Sequence, residues 1–297
     1  MSVTDRPARL AVGVVGVGRV GSVLAAALQQ AGHQVVAVPA VSDASRRRAA
    51  ELLPGAPVAD PTDVVAQAEL ALLTVPDDAL PGLVDGLVAA GVIRAGQLVL
   101  HTSGRYGVSV LEPMVREGAL PLALHPVMTF TGRPEDLARL DGCSFGVTTP
   151  DALRPIAEAL VVEMGGEPEF VAEELRPLYH AALAGGANHL ATLVNEAVDL
   201  LARCGVEHPA RMLAPLLGAA LDNALRSGDQ ALTGPVARGD AGTVAAHVRE
   251  LRAVSPDSLA AYVAMARLTA DRALAAGLLK PQAAEALLDV LAEGARP

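Results

Sequence analysis

The chain has 297 residues, 52% of them hydrophobic and 19% charged, with a formal net charge of −10 and an aromatic content of 2%. That length admits two domains, the apolar content excludes a disordered chain, and acidity with few rings removes the cationic surface and stacking groups that nucleic-acid binding uses. Two cysteines, Cys143 and Cys204, form neither a disulfide framework nor a metal motif, so no metal is expected and a reducing compartment fits.

The first strand-like run is 10–15; the apolar stretch Leu10 to Gly18 around it resembles a short signal-peptide core but flows straight into Arg19 without a clear cleavage site, so a cytoplasmic location is expected. Further Val- and Leu-rich runs at 34–39, 69–74, 97–101, 120–125 and 144–148 alternate with helical patterns near 19–31, 43–53, 78–90 and 107–117. Continuously apolar strands separated by helices predict a parallel, doubly wound α/β sheet of Rossmann type. The uncharged stretch from Val20 to Ser42 is long enough for a membrane span but holds Gln29, Gln30, His33 and Pro39, and no span is expected. After Pro150 one more strand-like run, 168–171, precedes helical patterns over 173–203, 209–226, 240–253, 256–276 and 281–293. The expected domains are therefore 1–149, binding a dinucleotide, and 150–297, an all-α substrate and dimerisation domain.

Between the first strand and the first helix lies G-x-G-x-x-G, formed by Gly16, Gly18 and Gly21. The first glycine turns the chain, the second admits a pyrophosphate to the backbone, and the third lets helix and strand pack closely. The helix N-terminus then attracts phosphates, and Arg19 and Val20 join the glycines as cofactor-binding candidates. A structural turn or a loop for S-adenosylmethionine stays open. NAD sites place an acid about 20 residues on, but "VAVPAVSDASRRR" offers none before Asp43. Ser42 and Arg46 instead suit a 2′-phosphate, which favours NADP(H), although the arginines 46–48 also fit a solvated helix face.

Ligands of open α/β sheets bind beyond the carboxyl ends of the strands. There stand Val75-Pro76-Asp77-Asp78, expected to line ribose and nicotinamide with one aspartate capping the next helix, then His101-Thr102-Ser103-Gly104, then His125-Pro126. Each histidine is either a proton donor or a hydrogen-bonded strand end. In 179–205, read as one long helix, Asn188, Thr192, Asn195 and Asp199 share a face, with His189 beside them and Tyr179 and His180 near the start. That stripe faces either a ligand or water. Asp240 reads as a helix N-cap after a Gly/Pro loop at 231–240, in which Thr233-Gly234-Pro235 could close over the site and Arg238 could clamp an anion. His189, Asn188, Ser103 and His125 are thus the candidate catalytic residues, and a small anionic molecule is the expected substrate.

Through "GVGRVGSVLAAAL", "VPDDAL", "HTSG", "HPVMTF", "YHAALAGGANHLATL" and "LTGPVARGD" the chain resembles bacterial proteins with a Rossmann-like domain followed by the helical domain DUF2520. It is similar more remotely to pyrroline-5-carboxylate reductase and to the 6-phosphogluconate and ketopantoate dehydrogenases. Some members of the DUF2520-containing family resemble an alternative ketopantoate reductase, and the resemblance implies an NADPH-dependent reductase with helical domains that form a homodimer; a pyrroline-5-carboxylate-like imine reductase or a non-catalytic NADP(H)-binding protein are the alternatives. The wider group often uses a helix lysine four residues before an asparagine. If Asn195 fills the asparagine place, the lysine place holds Ala191, and the single lysine of the chain is Lys280, so that mechanism does not carry over.

Overall fold

The computed structural model describes residues 9–39 and 42–295; the segment 38–42, read above as lacking an acid, therefore lies partly outside the described residues. The chain divides into two compact units, one through Ala187 and one from Asn188.

The first unit is built on a seven-stranded sheet: β1 (Ala11–Val15), β2 (Gln34–Ala37), β3 (Leu70–Leu73), β4 (Leu98–His101), β5 (Leu120–Pro126), β6 (Ser144–Thr148) and β7 (Glu167–Phe170), in the order β2-β1-β3-β4-β5-β6-β7. Its helices are α1 (Arg19–Gln30), α2 (Asp43–Leu52), α3 (Pro61–Gln67), α4 (Leu80–Ala89), α5 (Glu112–Arg116), α6 (Glu135–Arg139), α7 (Arg154–Glu163) and α8 (Arg176–Ala184). Every residue of β3 and β4 is buried, as their unbroken apolar sequence requires of strands covered on both faces. One core, with Leu24, Leu28, Leu72 and Phe145, lies under α1, α2 and α7; the other, with Val64, Leu73, Leu80 and Met114, lies under α3, α4 and α5.

The first five strands are parallel, but β6 runs antiparallel to β5, and β7 follows β6. The expected all-parallel sheet is corrected here. The connection after β5 does not cross back as a long helix. It is tied down by the fully buried Asp136, whose carboxylate accepts the Thr131 and Gly132 N–H groups and the Thr131 hydroxyl. The chain then returns alongside, and Val127 donates to the Ser144 carbonyl at 2.9 Å, opening an antiparallel ladder. Because β7 joins this sheet, the first unit continues beyond the expected break at 149/150.

The second unit is helical: α9 (Leu190–Arg203), α10 (Pro209–Ser227), α11 (Gly234–Arg238), α12 (Ala241–Val254), α13 (Pro256–Ala275) and α14 (Pro281–Gly294). Val244, Val248, Val263, Leu287 and Leu291 form its core between α12, α13 and α14. Asp240 caps α12 as expected, accepting the Thr243 N–H at 3.0 Å. The expected loop at 231–240 contains the short helix α11, started by Pro235 in its first turn and closed by Gly239 in the left-handed region at φ 74°. The segment 179–205 is not one helix. α8 ends at Ala184, Gly185–His189 forms a π turn, and α9 follows, because Gly185 and Gly186 bind the backbone weakly to the narrower α geometry. Among the described residues no helix is long and apolar enough to cross a membrane.

Candidate functional site

The strand register aligns Val15, Leu73, His101 and Ala123 in one row across the sheet. The residues that follow this row share one edge. Gly16 turns the chain there at φ 106°, a conformation open chiefly to glycine. The Thr74 hydroxyl donates to the Gly16 carbonyl, pinning the loop to the end of β3. A Cβ on Gly21 would stand 2.1 Å from that hydroxyl oxygen and 2.2 Å from the Gly16 oxygen, so only glycine lets α1 settle on the sheet. Gly18 differs: a Cβ there would meet nothing within 4 Å. Gly18 is also the N-cap of α1, with no side-chain cap and no acid in the first turn. The space beside Gly18 is thus open next to helical N–H groups that have no side-chain cap among the described residues, a geometry that suits an anion. Exposed Arg19 flanks it, and Val20 turns inward against the core.

The described end of β2 carries no acid. Ser42 is committed to a capping box, accepting the Ser45 N–H at 3.1 Å, and Arg46 pairs with Asp43 at 2.8 Å. Arg48 reaches the glycine loop, donating through Nε to the Val17 carbonyl at 3.3 Å. Gly132, in the strap held by Asp136, abuts both Arg48 and Arg19: a Cβ on it would lie 3.0 Å from Arg48 Cδ and 3.1 Å from Arg19 Cα. Nothing local in the sequence separates Arg48 from Arg46 and Arg47, and the strap was missed altogether.

Further along the edge, Val75 packs partly against the core and the Pro76 carbonyl accepts the Ala79 and Leu80 N–H groups. Neither Asp77 nor Asp78 caps α4, whose N-cap is Ala79, because the Pro76 carbonyl has turned the chain one residue late. The two strand-end histidines have different fates. His101 is fully buried; its Nε2 donates to the Gly107 carbonyl at 2.8 Å and its Nδ1 accepts the Ser103 N–H at 3.2 Å. Burial pushes its pKa from the ordinary 6.5 to about 4, with Arg176 lowering it further and the Gly107 carbonyl, Asp77 and Glu173 opposing. With both nitrogens committed, His101 is structural. Ser103 is buried beside it, its hydroxyl accepting the Tyr106 N–H at 3.1 Å.

His125 keeps one nitrogen free. Nδ1 lies 2.9 Å from the Tyr179 hydroxyl, while Nε2 has no partner among the described residues and is not a buried orphan. Nε2 faces Gly104, where a Cβ would stand 2.9 Å away and 2.6 Å from His180 Cδ2. The rings of Tyr179 and His180 meet His125 edge-on, with centroids at 5.6 and 5.9 Å. Burial lowers the His125 pKa to about 4, helped by Arg176, His180 and His101 and opposed by Asp77. Under this group lies Arg176, fully buried, which donates to Thr148 Oγ1 at 2.7 Å and to the carbonyls of Ala123, Gly146 and Ser103 at 2.8, 2.9 and 3.4 Å. Its guanidinium carbon is 5.5 Å from the Tyr179 ring centre. Among the described residues every one of these acceptors is neutral. Glu173, the nearest acid to influence it, instead accepts the Val108 and Ser109 N–H groups.

Asn188 and His189 open the second unit, and both are exposed. Thr192, Asn195 and Asp199 follow on the exposed side of α9, with the Thr192 hydroxyl bonded to the Asn188 carbonyl at 3.2 Å.

No curated protein matches the sequence. Among solved structures, the fold is similar to a candidate NADP oxidoreductase from Bacteroides fragilis (TM-score 0.73, 21% identity, 89% of this chain and 98% of that one). It is similar also to an imine reductase from Streptomyces aurantiacus (0.59, 19%, 96% and 94%) and to Plasmodium falciparum pyrroline carboxylate reductase with NADP bound (0.56, 12%, 96% and 98%). At these identities the likeness is one of fold. Residues 2–126 match the Rossmann-like domain and residues 143–269 match the domain of unknown function DUF2520, so the chain joins a Rossmann-like domain to a DUF2520 domain.

Proposed function

We propose that the protein is an NADPH-dependent reductase that passes hydride to a C=O or C=N bond of a small carboxylate. The observation that carries the reading is the contrast among the three glycines: Gly16 and Gly21 are closed by neighbouring atoms, whereas Gly18 opens at an uncapped helix N-terminus. That open helix end suits a pyrophosphate, which Gly16, Gly18, Gly21 and the first-turn N–H groups of Arg19 and Val20 would hold. The end of β2, with arginines and no acid, favours a 2′-phosphate, and Arg48 joins Ser42 and Arg46 as its candidate partner. Val75 and Pro76 are the proposed lining for the ribose and ring. A bound reduced nicotinamide supplies the hydride; the chain orients it and meets the charge that develops on the substrate.

Ser103, Asn188, His189 and His125 are the proposed substrate-side residues. Ketopantoate as substrate rests on the family resemblance, while the likeness to imine reductases and to a pyrroline carboxylate reductase supports a cyclic imine. We also propose a homodimer. α9 and α10 bury no residue within the chain and expose Leu193, Met212, Leu216 and Leu225, an apolar surface that a second copy would cover.

The test is thermal stabilisation by NADP(H), NAD(H) and S-adenosylmethionine, followed by turnover on ketopantoate and pyrroline-5-carboxylate. Stabilisation by NADPH with oxidation of the cofactor by one of the two supports the reading. Stabilisation by S-adenosylmethionine alone overturns it, and tight NADPH binding without turnover on any oxo acid or imine replaces it with a binding protein.

A further inference from the structure

Arg176, Tyr179 and His125 form a chain of contacts that neither the family assignment nor the reductase reading explains. A fully buried guanidinium with only neutral acceptors is an expensive feature, since Arg stays charged and desolvation of an ion is repaid poorly by carbonyls. What it does locally is set an electrostatic field. Its cation lies against the Tyr179 ring, and it faces His125 together with His180 from α8, Asp77 from the loop after β3, and His101 from β4.

The protonation pattern follows from the contacts. Burial raises the Tyr179 pKa, so the phenol holds its proton, while Arg176 and the Gly146 N–H favour the phenolate and oppose that rise. The Tyr179 hydroxyl lies 2.9 Å from His125 Nδ1, within reach to donate its proton to that nitrogen. His125 is neutral at physiological pH, with a pKa of about 4, and a neutral ring that accepts the Tyr179 proton at Nδ1 carries its own proton on Nε2. That nitrogen has no partner among the described residues, and only the missing side chain of Gly104 lets the backbone lie so close to it, since a Cβ there would stand 2.9 Å away.

We propose that His125 and Tyr179 are the proton-delivery pair of this protein: His125 Nε2–H meets the reacting oxygen or nitrogen, Tyr179 re-supplies the ring through Nδ1, and Arg176 is the positioning residue that stabilises the phenolate left behind. The proposal rests on the reductase reading. When hydride reaches the substrate carbon, the C=O π pair becomes a lone pair on oxygen. The oxygen takes the Nε2 proton as Nδ1 takes the Tyr179 proton, so the imidazole begins and ends neutral. The net change is one proton from phenol to substrate with the ring left as its Nδ1–H tautomer; after product leaves, water returns a proton to Nε2 and the Nδ1 proton passes back to the phenolate, which restores the starting state. An iminium needs no such proton, so the pair matters for oxo acids and little for protonated imines. A neutral histidine held in place as a hydrogen-bond donor is a known way to polarise a carbonyl.

The experiment has a part without cofactor. Nitrogen-15 spectra of the histidines, with His125→Gln to assign the signal, should show the Nε2–H tautomer of His125, uncharged down to about pH 5. Ultraviolet titration of the tyrosines, with Tyr179→Phe to isolate one of the three, should show the phenol of Arg176→Met titrating higher than that of the wild type, with Arg176→Lys between them. In turnover, Tyr179→Phe should lower kcat on an oxo acid by roughly 10²- to 10⁴-fold while KM for NADPH and the rate on a protonated cyclic imine hold. An Nδ1–H tautomer, an unmoved phenol titration, or an unchanged kcat on the oxo acid overturns the proposal while leaving the reductase reading standing. A protein with the expected tautomer that neither binds nor oxidises NADPH overturns the reductase reading and this proposal with it.

Discussion

Acidification is expected to unfold the first unit earlier than its carboxylates alone would cause, because His101 is buried neutral. Its folded pKa is about 4 against an unfolded value of 6.5. Between those limits the unfolded chain binds a proton that the folded chain refuses, so stability is complete above about pH 6.5 and falls as the pH drops toward 4. Two and a half pH units at about 1.4 kcal/mol each is worth roughly 3 kcal/mol, a substantial part of the 5–15 kcal/mol typical of a domain. His125 adds in the same direction by a smaller amount, its ring being partly open to solvent. The assay is urea denaturation at several values between pH 7 and 4, comparing wild type with His101→Gln, which retains a donor toward the Gly107 carbonyl and does not titrate. The variant should be less stable at pH 7 and lose less on acidification, the two curves converging by roughly 3 kcal/mol as the pH reaches 4. Parallel curves would refute the reasoning, since they would mean His101 is protonated equally in both states.

The same substitution at two glycines should separate binding from folding. Gly18→Ala is expected to weaken NADPH binding, measured by fluorescence titration, with at most about 1 kcal/mol lost in stability; Gly21→Ala is expected to cost about 1–3 kcal/mol or more by denaturation because its Cβ collides with Thr74 and Gly16. Arg48→Gln should raise the Kd for NADPH more than that for NADH, and equal effects on both would limit Arg48 to holding the Val17 carbonyl. Leu225→Glu, at a side chain 79% exposed in the single chain, should shift sedimentation toward monomer.

The legible parts of this protein are those whose cause is local. The central strands were readable because residues buried on both faces leave an unbroken apolar run, as in β3 and β4, and the glycine loop because three positions each exclude a side chain or leave room for a ligand. The direction of β6 was not readable, since Ser144–Thr148 has the same composition whichever way it runs. α3 and α6 are short, and α7 begins Arg154-Pro155, where a proline that starts a helix reads as one that ends it. His101 and His125 looked alike as histidines at strand ends, each either a donor or a structural group. What distinguishes them arrives from elsewhere in the chain: the Gly107 carbonyl takes the second nitrogen of His101, whereas Tyr179 takes only the first of His125. Arg176 is the extreme case. Its acceptors lie at 103, 123, 146 and 148, on a loop and two strands far from it in sequence, and in its own neighbourhood it is one more arginine ahead of a proline. A charged residue that must be buried gives no periodic signal, because burial there is set by waiting carbonyls rather than by apolar pattern. The residues with most chemical consequence in this unit are therefore the ones that only the fold brings together.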